Sequence, residues 1–407
     1  STGSASDVLD SYRAAFRTKG SPQFCAAAFV MRMPIAIYPI GLVLIVSARD
    51  GRYQFAGVLS ACFTAGGCFG HPVLGRLVDR FGQSRVIRPA ALAHLASVLV
   101  LAILLHGRAS DAAVIAPAVV AGLSYVDAGA LVRARWSYVL AGSPELTAAF
   151  SIESTLDEVI FVIGPLVATL IATSVAPVLV LYLAVALVIV GGAWLARLRG
   201  TEPPVHAEPV GGHRSVLRGR GMVLLVVTGA AMGALFSSAE VSMVAFCGQH
   251  HHRGASGIVL AALAAGSALA GFVYGARPHR TPLLTRFRNQ SVLFAVLPAV
   301  LFAAVNIPVL AVCAFVVGLC IAPLLITTFG LIEQLSPTAS LTEALTWFTT
   351  GIDVGYGGGA ALVGGIADSS GARAAFAVAV ASALCTGVLG LALQRRLRPV
   401  EVALAPS

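Results

Sequence analysis

The chain reads as a succession of apolar runs, each closed by a short polar or charged cluster. A helix needs about 20 mostly apolar residues to cross the roughly 30 Å hydrocarbon layer of a bilayer. Runs near that length occupy residues 22–47, 53–78, 86–106, 112–135, 147–173 and 176–196. After a polar break they resume at 222–247, 256–276, 289–305, 308–332, 342–367 and 372–394. The pattern predicts an all-α membrane protein of twelve transmembrane helices. Residues 1–21 and 395–407 are read as cytoplasmic terminal segments, and 200–221, rich in proline, glycine and charge, as a cytoplasmic linker.

The two series repeat. At an offset of 200, Gly57, Ala61, Ala65, Gly66 and Gly75 match Gly257, Ala261, Ala265, Gly266 and Gly275. At 196, Gly122 and Leu123 match Gly318 and Leu319; at 195, Leu146, Thr147, Glu158 and Gly164 match Leu341, Thr342, Asp353 and Gly359. Three stretches in the same order imply a duplicated six-helix unit, hence two pseudo-symmetric bundles, 22–199 and 222–394. Such repeats place a substrate site at their interface near the midplane.

Composition agrees: 57% of the 407 residues are hydrophobic and 11% charged, against about a quarter charged in soluble domains. The 27 basic residues do not form one nucleic-acid-binding face, because they sit at helix ends. With the N-terminus inside, 21 fall on the cytoplasmic side and five (Arg49, Arg52, Arg108, Arg253, Arg373) outside, leaving Arg32 within a helix. The positive-inside rule therefore places both termini in the cytoplasm, in a multi-pass inner-membrane protein. The seven cysteines have no CxxC spacing and read as packing residues. The outer-loop run His250-His251-His252 has no accompanying carboxylate or cysteine ligand, so no metal is expected.

Between helices two and three lies Gly75-Arg-Leu-Val-Asp79-Arg80-Phe-Gly82-Gln-Ser-Arg85. This resembles the G-x-L-x-D-R-x-G-[RK]-[RK]-[RK] signature of the major facilitator superfamily, matched at Gly75, Leu77, Asp79, Arg80, Gly82 and Arg85 and departing at Gln83 and Ser84. The resemblance implies a twelve-helix secondary transporter whose halves rock around a central site, with this loop as a conformational gate. Asp79 is expected to pair with Arg80 or Arg85 and to approach the start of helix eleven, whose N-terminus carries partial positive charge. In the second half Gly275 and Arg280 persist, but His279 stands in place of the acid. Gly164-Pro165 in helix five is similar to the glycine-proline motif of the superfamily's proton-coupled antiporters, although Ile160 and Ala168 stand where that motif has glycine. Gly351, Gly355 and Gly359, in four-residue steps, make a small-residue face for helix packing.

Ionisable groups inside spans are costly and mark function. Arg32 lies deep in helix one. Glu153, Asp157 and Glu158 lie in helix five, Asp127 in helix four, Glu240 in helix seven and Asp353 in helix eleven. One base faces six acids. Arg32 is expected to neutralise Asp157 or Glu158, and the remaining acids to include a proton carrier: first Glu158 or Asp157, then Asp127 or Asp353. The alternative for each acid is a structural role, hydrogen-bonded within one half or lying at a wetter depth. Tyr38, Tyr125, Trp347 and Tyr356 are expected to line the cavity, and Trp136 and Trp194 to join the cytoplasmic interfacial belt. Arg133 and Arg135 are assigned to topology at the end of helix four, so the intramembrane arginine that the superfamily's drug exporters carry there is not expected.

The function expected is efflux of a small neutral or cationic amphipathic molecule, with the proton as coupling ion and no cofactor. The chain thus resembles drug or sugar efflux permeases of actinobacterial type. It is expected to act as a monomer, with the bilayer and a small-molecule substrate as its partners and no nucleic acid. Two other readings are a proton-coupled uptake symporter for a sugar or metabolite and a transport-inactive scaffold or sensor. No catalytic spacing or phosphate-binding loop suggests an enzyme.

Overall fold

The computed structural model describes residues 12–50, 53–205, 216–219, 221–252, 255–277, 279 and 281–404. Half of the linker, Arg280, and the topology arginines Arg52, Arg214, Arg220 and Arg253 lie outside these residues.

From Ser21 on, the described residues form twelve helical units in succession. In the first half they are α1 (Ser21–Arg32 and Pro34–Asp50), α2 (Tyr53–Phe81), α3 (Gln83–His106), α4 (Asp111–Ser124 and Ala128–Val139), α5 (Leu146–Ser174) and α6 (Leu179–Arg197). In the second they are α7 (Met222–Gln249), α8 (Ser256–Ala276), α9 (Leu283–Val296, tightening to a 3₁₀ turn over Leu297–Ala303), α10 (Ile307–Gly318 and Ile321–Leu335), α11 (Leu341–Ser370) and α12 (Ala372–Leu404). Ten of them, all but α9 and α11, have the length and apolarity of a membrane span. The α-helical part of α9 is only 14 residues long, and α11 is diluted by glycine, threonine and acids.

The breaks have local causes. α1 is interrupted at Met33, before Pro34, which has no amide to donate. α4, expected to be continuous, opens at Tyr125–Asp127, and Asp127 caps the second segment by accepting the Ala130 amide at 3.0 Å. α9 starts six residues earlier than expected and changes to the tighter helix at Pro298.

The sequence repeat reappears as a repeated helix crossing. A Cβ built on Gly66 would lie 2.3 Å from the Val119 carbonyl oxygen, and one on Gly122 2.0 Å from that of Phe63, so α2 and α4 touch backbone to backbone. In the second half, Gly266 meets the Phe315 oxygen at 2.1 Å and Gly318 that of Leu263 at 2.1 Å. These are the same four positions carried forward by 200 and 196 residues. The α1–α5 and α7–α11 crossings form a second such pair: Gly164 abuts Ala36, while Gly351, Gly355 and Gly359 abut Val226, Ala230 and Ala234. Without water to drive apolar surfaces together, close approach of this kind is what holds membrane helices.

An even number of helices returns each half to the end at which it began, here called the terminal end. Contacts between the halves run from that end to mid-height. Gly75 on α2 abuts Thr346 and Glu343 of α11, and Thr350 Oγ1 reaches the Cys68 carbonyl at 3.5 Å. On the other seam, Ser151 on α5 abuts Gly275 and donates to the Gly271 carbonyl at 2.6 Å. Tyr12, from the helical turn at 12–17, binds both sides of that seam. Its hydroxyl donates to the Phe272 carbonyl at 2.6 Å and lies 3.0 Å from Ser151 Oγ. Toward the far end of the same helices a Cβ at Gly57, Gly257, Gly358, Gly364 or Gly365 would meet nothing within 4 Å. The contacts named between the described halves thus lie at the terminal end and at mid-height.

Candidate functional site

Arg32, Arg133, Glu153 and Asp157 form one neutral cluster beside α5. Arg32 Nη2 bonds Glu153 Oε2, and its Nη1 bonds Asp157 Oδ1 at 2.8 Å. Arg133 Nη2 takes the other oxygen of Asp157 at 2.7 Å, and its Nη1 donates to the Gly129 carbonyl at 3.2 Å. The Glu153 oxygen left over accepts the Trp136 indole N–H at 2.8 Å and the Cys25 thiol at 3.3 Å. Two guanidinium groups thus balance two carboxylates, the arrangement that makes buried ions tolerable. The Arg133 guanidinium also lies 4.0 Å from the centre of the Phe329 ring on α10, so the cluster reaches across to the second half.

Arg32 pairs with Asp157, one of its two expected partners, and with Glu153 as well, whereas Glu158 turns to another helix. Two expectations are corrected here. Arg133 is a second intramembrane base, 3% exposed, because the break in α4 turns its final segment inward. Trp136 is buried rather than interfacial, packed edge-on against Phe24 with centroids 4.7 Å apart. Arg135 is buried too, but in a structural clasp: it donates to Gln83 Oε1 and the Leu198 carbonyl at 2.7 Å each and to Thr201 Oγ1 at 2.8 Å. That clasp explains why glutamine stands at position 83, where a basic residue would repel Arg135.

Three of the other four acids accept a hydroxyl hydrogen bond, and the fourth faces an imidazole beyond hydrogen-bond reach. Asp127 Oδ2 accepts the Thr349 hydroxyl of α11 at 2.8 Å. Glu158 Oε1 accepts the Ser267 hydroxyl of α8 at 2.6 Å. Glu240 Oε2 accepts the Tyr356 hydroxyl at 2.6 Å, within the second half. Asp353 Oδ2 lies 3.8 Å from His71 Nδ1 of α2. Three of these four contacts join one half to the other.

Two expected cavity aromatics lie elsewhere. Tyr38 and Tyr125 are 1% and 3% exposed inside the first bundle. Tyr38 bonds His94 Nε2 at 2.6 Å, and the Tyr125 hydroxyl reaches the Met31 carbonyl at 3.3 Å. Trp347 is half-buried, and Tyr356 is exposed. His71 and His94 were not among the expected site residues, since an imidazole counts as neutral in a charge tally. A search of the spans for every titratable group finds both.

The loop after α2 forms an inter-half contact at the terminal end. The Asp79 carboxylate accepts the Thr342 and Glu343 amides at 3.1 and 2.8 Å, two donors of the first turn of α11 that have no intrahelical partner. The cation placed across this contact is Arg76, which donates to Glu343 Oε1 at 2.6 Å; Arg85 is exposed. Gly82 has φ 92°, a conformation that favours glycine, and its Cβ position is closed by Glu202 Oε1 at 2.8 Å. The same Glu202 oxygen accepts the Ser84 amide at 2.9 Å, placing a carboxylate at the start of α3. Gly164 and Pro165 lie inside a continuous α5.

Solved membrane transporters share this fold. A bacterial homologue of the iron transporter ferroportin, in an outward-facing state with soaked iron, is similar with a TM-score of 0.75 at 14% identity, over 92% of this chain and 99% of that one. The fucose:proton symporter FucP of E. coli is similar with a TM-score of 0.70 at 11% identity, over 92% and 98%. The human organic anion transporter MFSD10 is similar with a TM-score of 0.65 at 15% identity, over 93% and 99%. No curated protein sequence matches the chain. The model of the Major Facilitator Superfamily matches residues 24–291, and with the loop at Gly75–Arg85 and the repeated six-helix unit this makes the chain a member of that superfamily of transporters.

Proposed function

We propose that the protein exports a small neutral or cationic amphipathic molecule in exchange for protons, by alternating access. The observation that carries the reading is the Glu158–Ser267 bond. An acid with no guanidinium partner among the described residues is bonded across the seam between the halves. A rocking motion breaks that bond and leaves the carboxylate free to exchange a proton with whatever side the site then faces. Proton occupancy and conformation are thereby linked. Export follows from the same chemistry. Where one set of carboxylates serves both the proton and an organic cation, the two compete, and inward proton flow drives the cation outward.

In this reading residues 22–199 and 222–394 move as two bodies joined by 200–221, in the cytoplasmic membrane with both termini inside. The 21-to-5 division of basic residues supports that orientation. The test uses proteoliposomes with an imposed pH gradient and an internal pH-sensitive dye, against a panel of organic cations and neutral sugars. At least one compound should move protons through the wild type, in exchange for itself, and Glu158→Gln should abolish that movement. Substrate flux with no accompanying proton flux, or proton flux untouched by Glu158→Gln, overturns the reading; proton flux parallel to a sugar reverses its direction.

A further inference from the structure

Two histidines are buried inside the first bundle, and their surroundings differ. His94 has both ring nitrogens satisfied: Nε2 lies 2.6 Å from the Tyr38 hydroxyl and Nδ1 2.9 Å from the Ala121 carbonyl. It holds α1, α3 and α4 together. His71 is 7% exposed and neither of its ring nitrogens has a hydrogen-bond partner. Buried polar groups are almost always bonded, so an imidazole without a side-chain or backbone partner on either nitrogen calls for a further one. Its Nδ1 lies 3.8 Å from Asp353 Oδ2, just beyond hydrogen-bond reach.

The repeat gives this contact a counterpart. Asp353 is Glu158 carried forward by 195 residues, and α2 is the repeat partner of α8. Each acid therefore faces the other half across its own seam: Glu158 meets Ser267 on α8, and Asp353 meets His71 on α2. Ser267 occupies the repeat position of Gly67, and a Cβ on Gly67 would lie 3.3 Å from the His71 ring, so the imidazole fills the place a side chain there would take. The first seam is joined by a hydroxyl that cannot change charge. The second is joined by a group that can.

We propose that His71 and Asp353 hold a proton between them and that this proton fastens the α2–α11 seam. The assignment rests on the proton-coupled reading above and extends it to a second seam. One proton from water binds an imidazole nitrogen, and the resulting cation pairs with the Asp353 carboxylate. On release the proton returns to water and the pair reverts to an unbonded contact. The other ionisable groups around His71 suit this. α4 contributes Tyr125, with ring centroids 6.1 Å apart, and Asp127, whose charge acts on Asp353. α2 itself adds Cys68 one turn before and Arg76 beyond one turn after; on α11 Glu343 is taken up by Arg76. Tyr38 of α1 and His94 of α3 are occupied with each other. The added charge therefore faces the Asp353 carboxylate, and Arg76, the next cation along α2, is already paired.

The full-length protein in lipid nanodiscs gives a test that needs neither substrate nor gradient. Amide hydrogen exchange at Thr342 and Glu343 reports how firmly the seam is closed, and it is followed in a reference chain carrying Asp79→Asn, so that the acceptor of these amides has no charge of its own to change with pH. After correction for the intrinsic pH dependence of exchange, the reference chain should exchange about tenfold more slowly near pH 5.5 than near pH 8, a range that spans histidine titration. Adding His71→Gln or Asp353→Asn should erase the difference, and adding His71→Arg, a fixed cation, should give slow exchange at both values. A reference chain that exchanges equally at both pH values, or a difference that persists with His71→Gln, overturns the assignment. Because nothing is transported, this result is independent of the Glu158→Gln test.

Discussion

Asp79 of α2 sits on the first turn of α11, accepting the Thr342 and Glu343 amides at 3.1 and 2.8 Å, so a carboxylate of one half caps a helix of the other. The interaction combines charge-assisted hydrogen bonds with the positive end of a helix. In the proposed alternating-access cycle it is a bond that forms and breaks as the terminal end closes and opens.

Asp79→Asn keeps one acceptor oxygen and loses the charge. Its expected cost to the terminal-closed state is about 1–2 kcal/mol, or roughly 5- to 30-fold in the balance between states. Turnover in proteoliposomes should fall by about tenfold while substrate affinity in detergent is unchanged. Unchanged turnover would remove the gating role.

The ion cluster yields an asymmetric prediction. Asp157 bonds both Arg32 and Arg133, so it keeps a cation when either is lost. Glu153 is fully buried and has Arg32 as its only ion-pair partner among the described residues. Breaking a buried pair from one side costs about 3–5 kcal/mol. Arg32→Gln should therefore lower the midpoint of thermal unfolding well below that of Arg133→Gln, and Arg32→Gln with Glu153→Gln should recover most of the loss. Equal effects of the two arginine variants would show that the cluster is not wired in this way.

Part of this site can be read from the chain and part cannot, for physical reasons. The helices and the duplicated unit follow from period and offset, which survive in one dimension, and the approach of Asp79 to α11 is what the resemblance of its loop to the superfamily signature implies. Arg133 does not. It stands three residues from the end of an apolar run, where an arginine ordinarily serves topology, and only the opening at Tyr125–Asp127 turns it into the interior. Trp136 is misread for the same reason, being three residues farther along the same segment. Tyr38 and Tyr125 are misassigned because apolar periodicity marks a buried face without saying whether that face meets a cavity or a neighbouring helix.

The repeated glycine crossings offer a control that treats the halves as equals. Gly122→Ala and Gly318→Ala would each drive a Cβ to about 2 Å from a carbonyl oxygen, at Phe63 and Leu263. Backbone cannot yield as a side chain can, so each pair of helices must separate and lose packing along its length. Both variants should lose several degrees in thermal unfolding. Gly57→Ala and Gly257→Ala, where a Cβ meets nothing within 4 Å, should be neutral or gain up to about 1 kcal/mol from helix propensity. A neutral Gly318→Ala beside a harmful Gly122→Ala would mean that the second crossing is not the equivalent of the first.

Tyr12 carries the last prediction. Its ring stacks on Phe272 with centroids 4.9 Å apart, and its hydroxyl binds the Phe272 carbonyl of α8 while lying 3.0 Å from Ser151 on α5. The segment before α1 thus ties the α5–α8 seam from outside both bundles. Tyr12→Phe retains the stacking and removes the hydroxyl alone, leaving the Phe272 carbonyl without that donor. One hydrogen bond of this kind contributes about 1 kcal/mol, so the balance should move roughly fivefold toward the terminal-open state. Amide exchange at Ser151 and Gly275, compared between wild type and variant at one pH, should quicken by that factor while exchange at Gly66 and Gly122, inside the first bundle, stays the same. Faster exchange at all four would indicate general loosening of the fold, and no change at any would show that the hydroxyl does not fasten the seam.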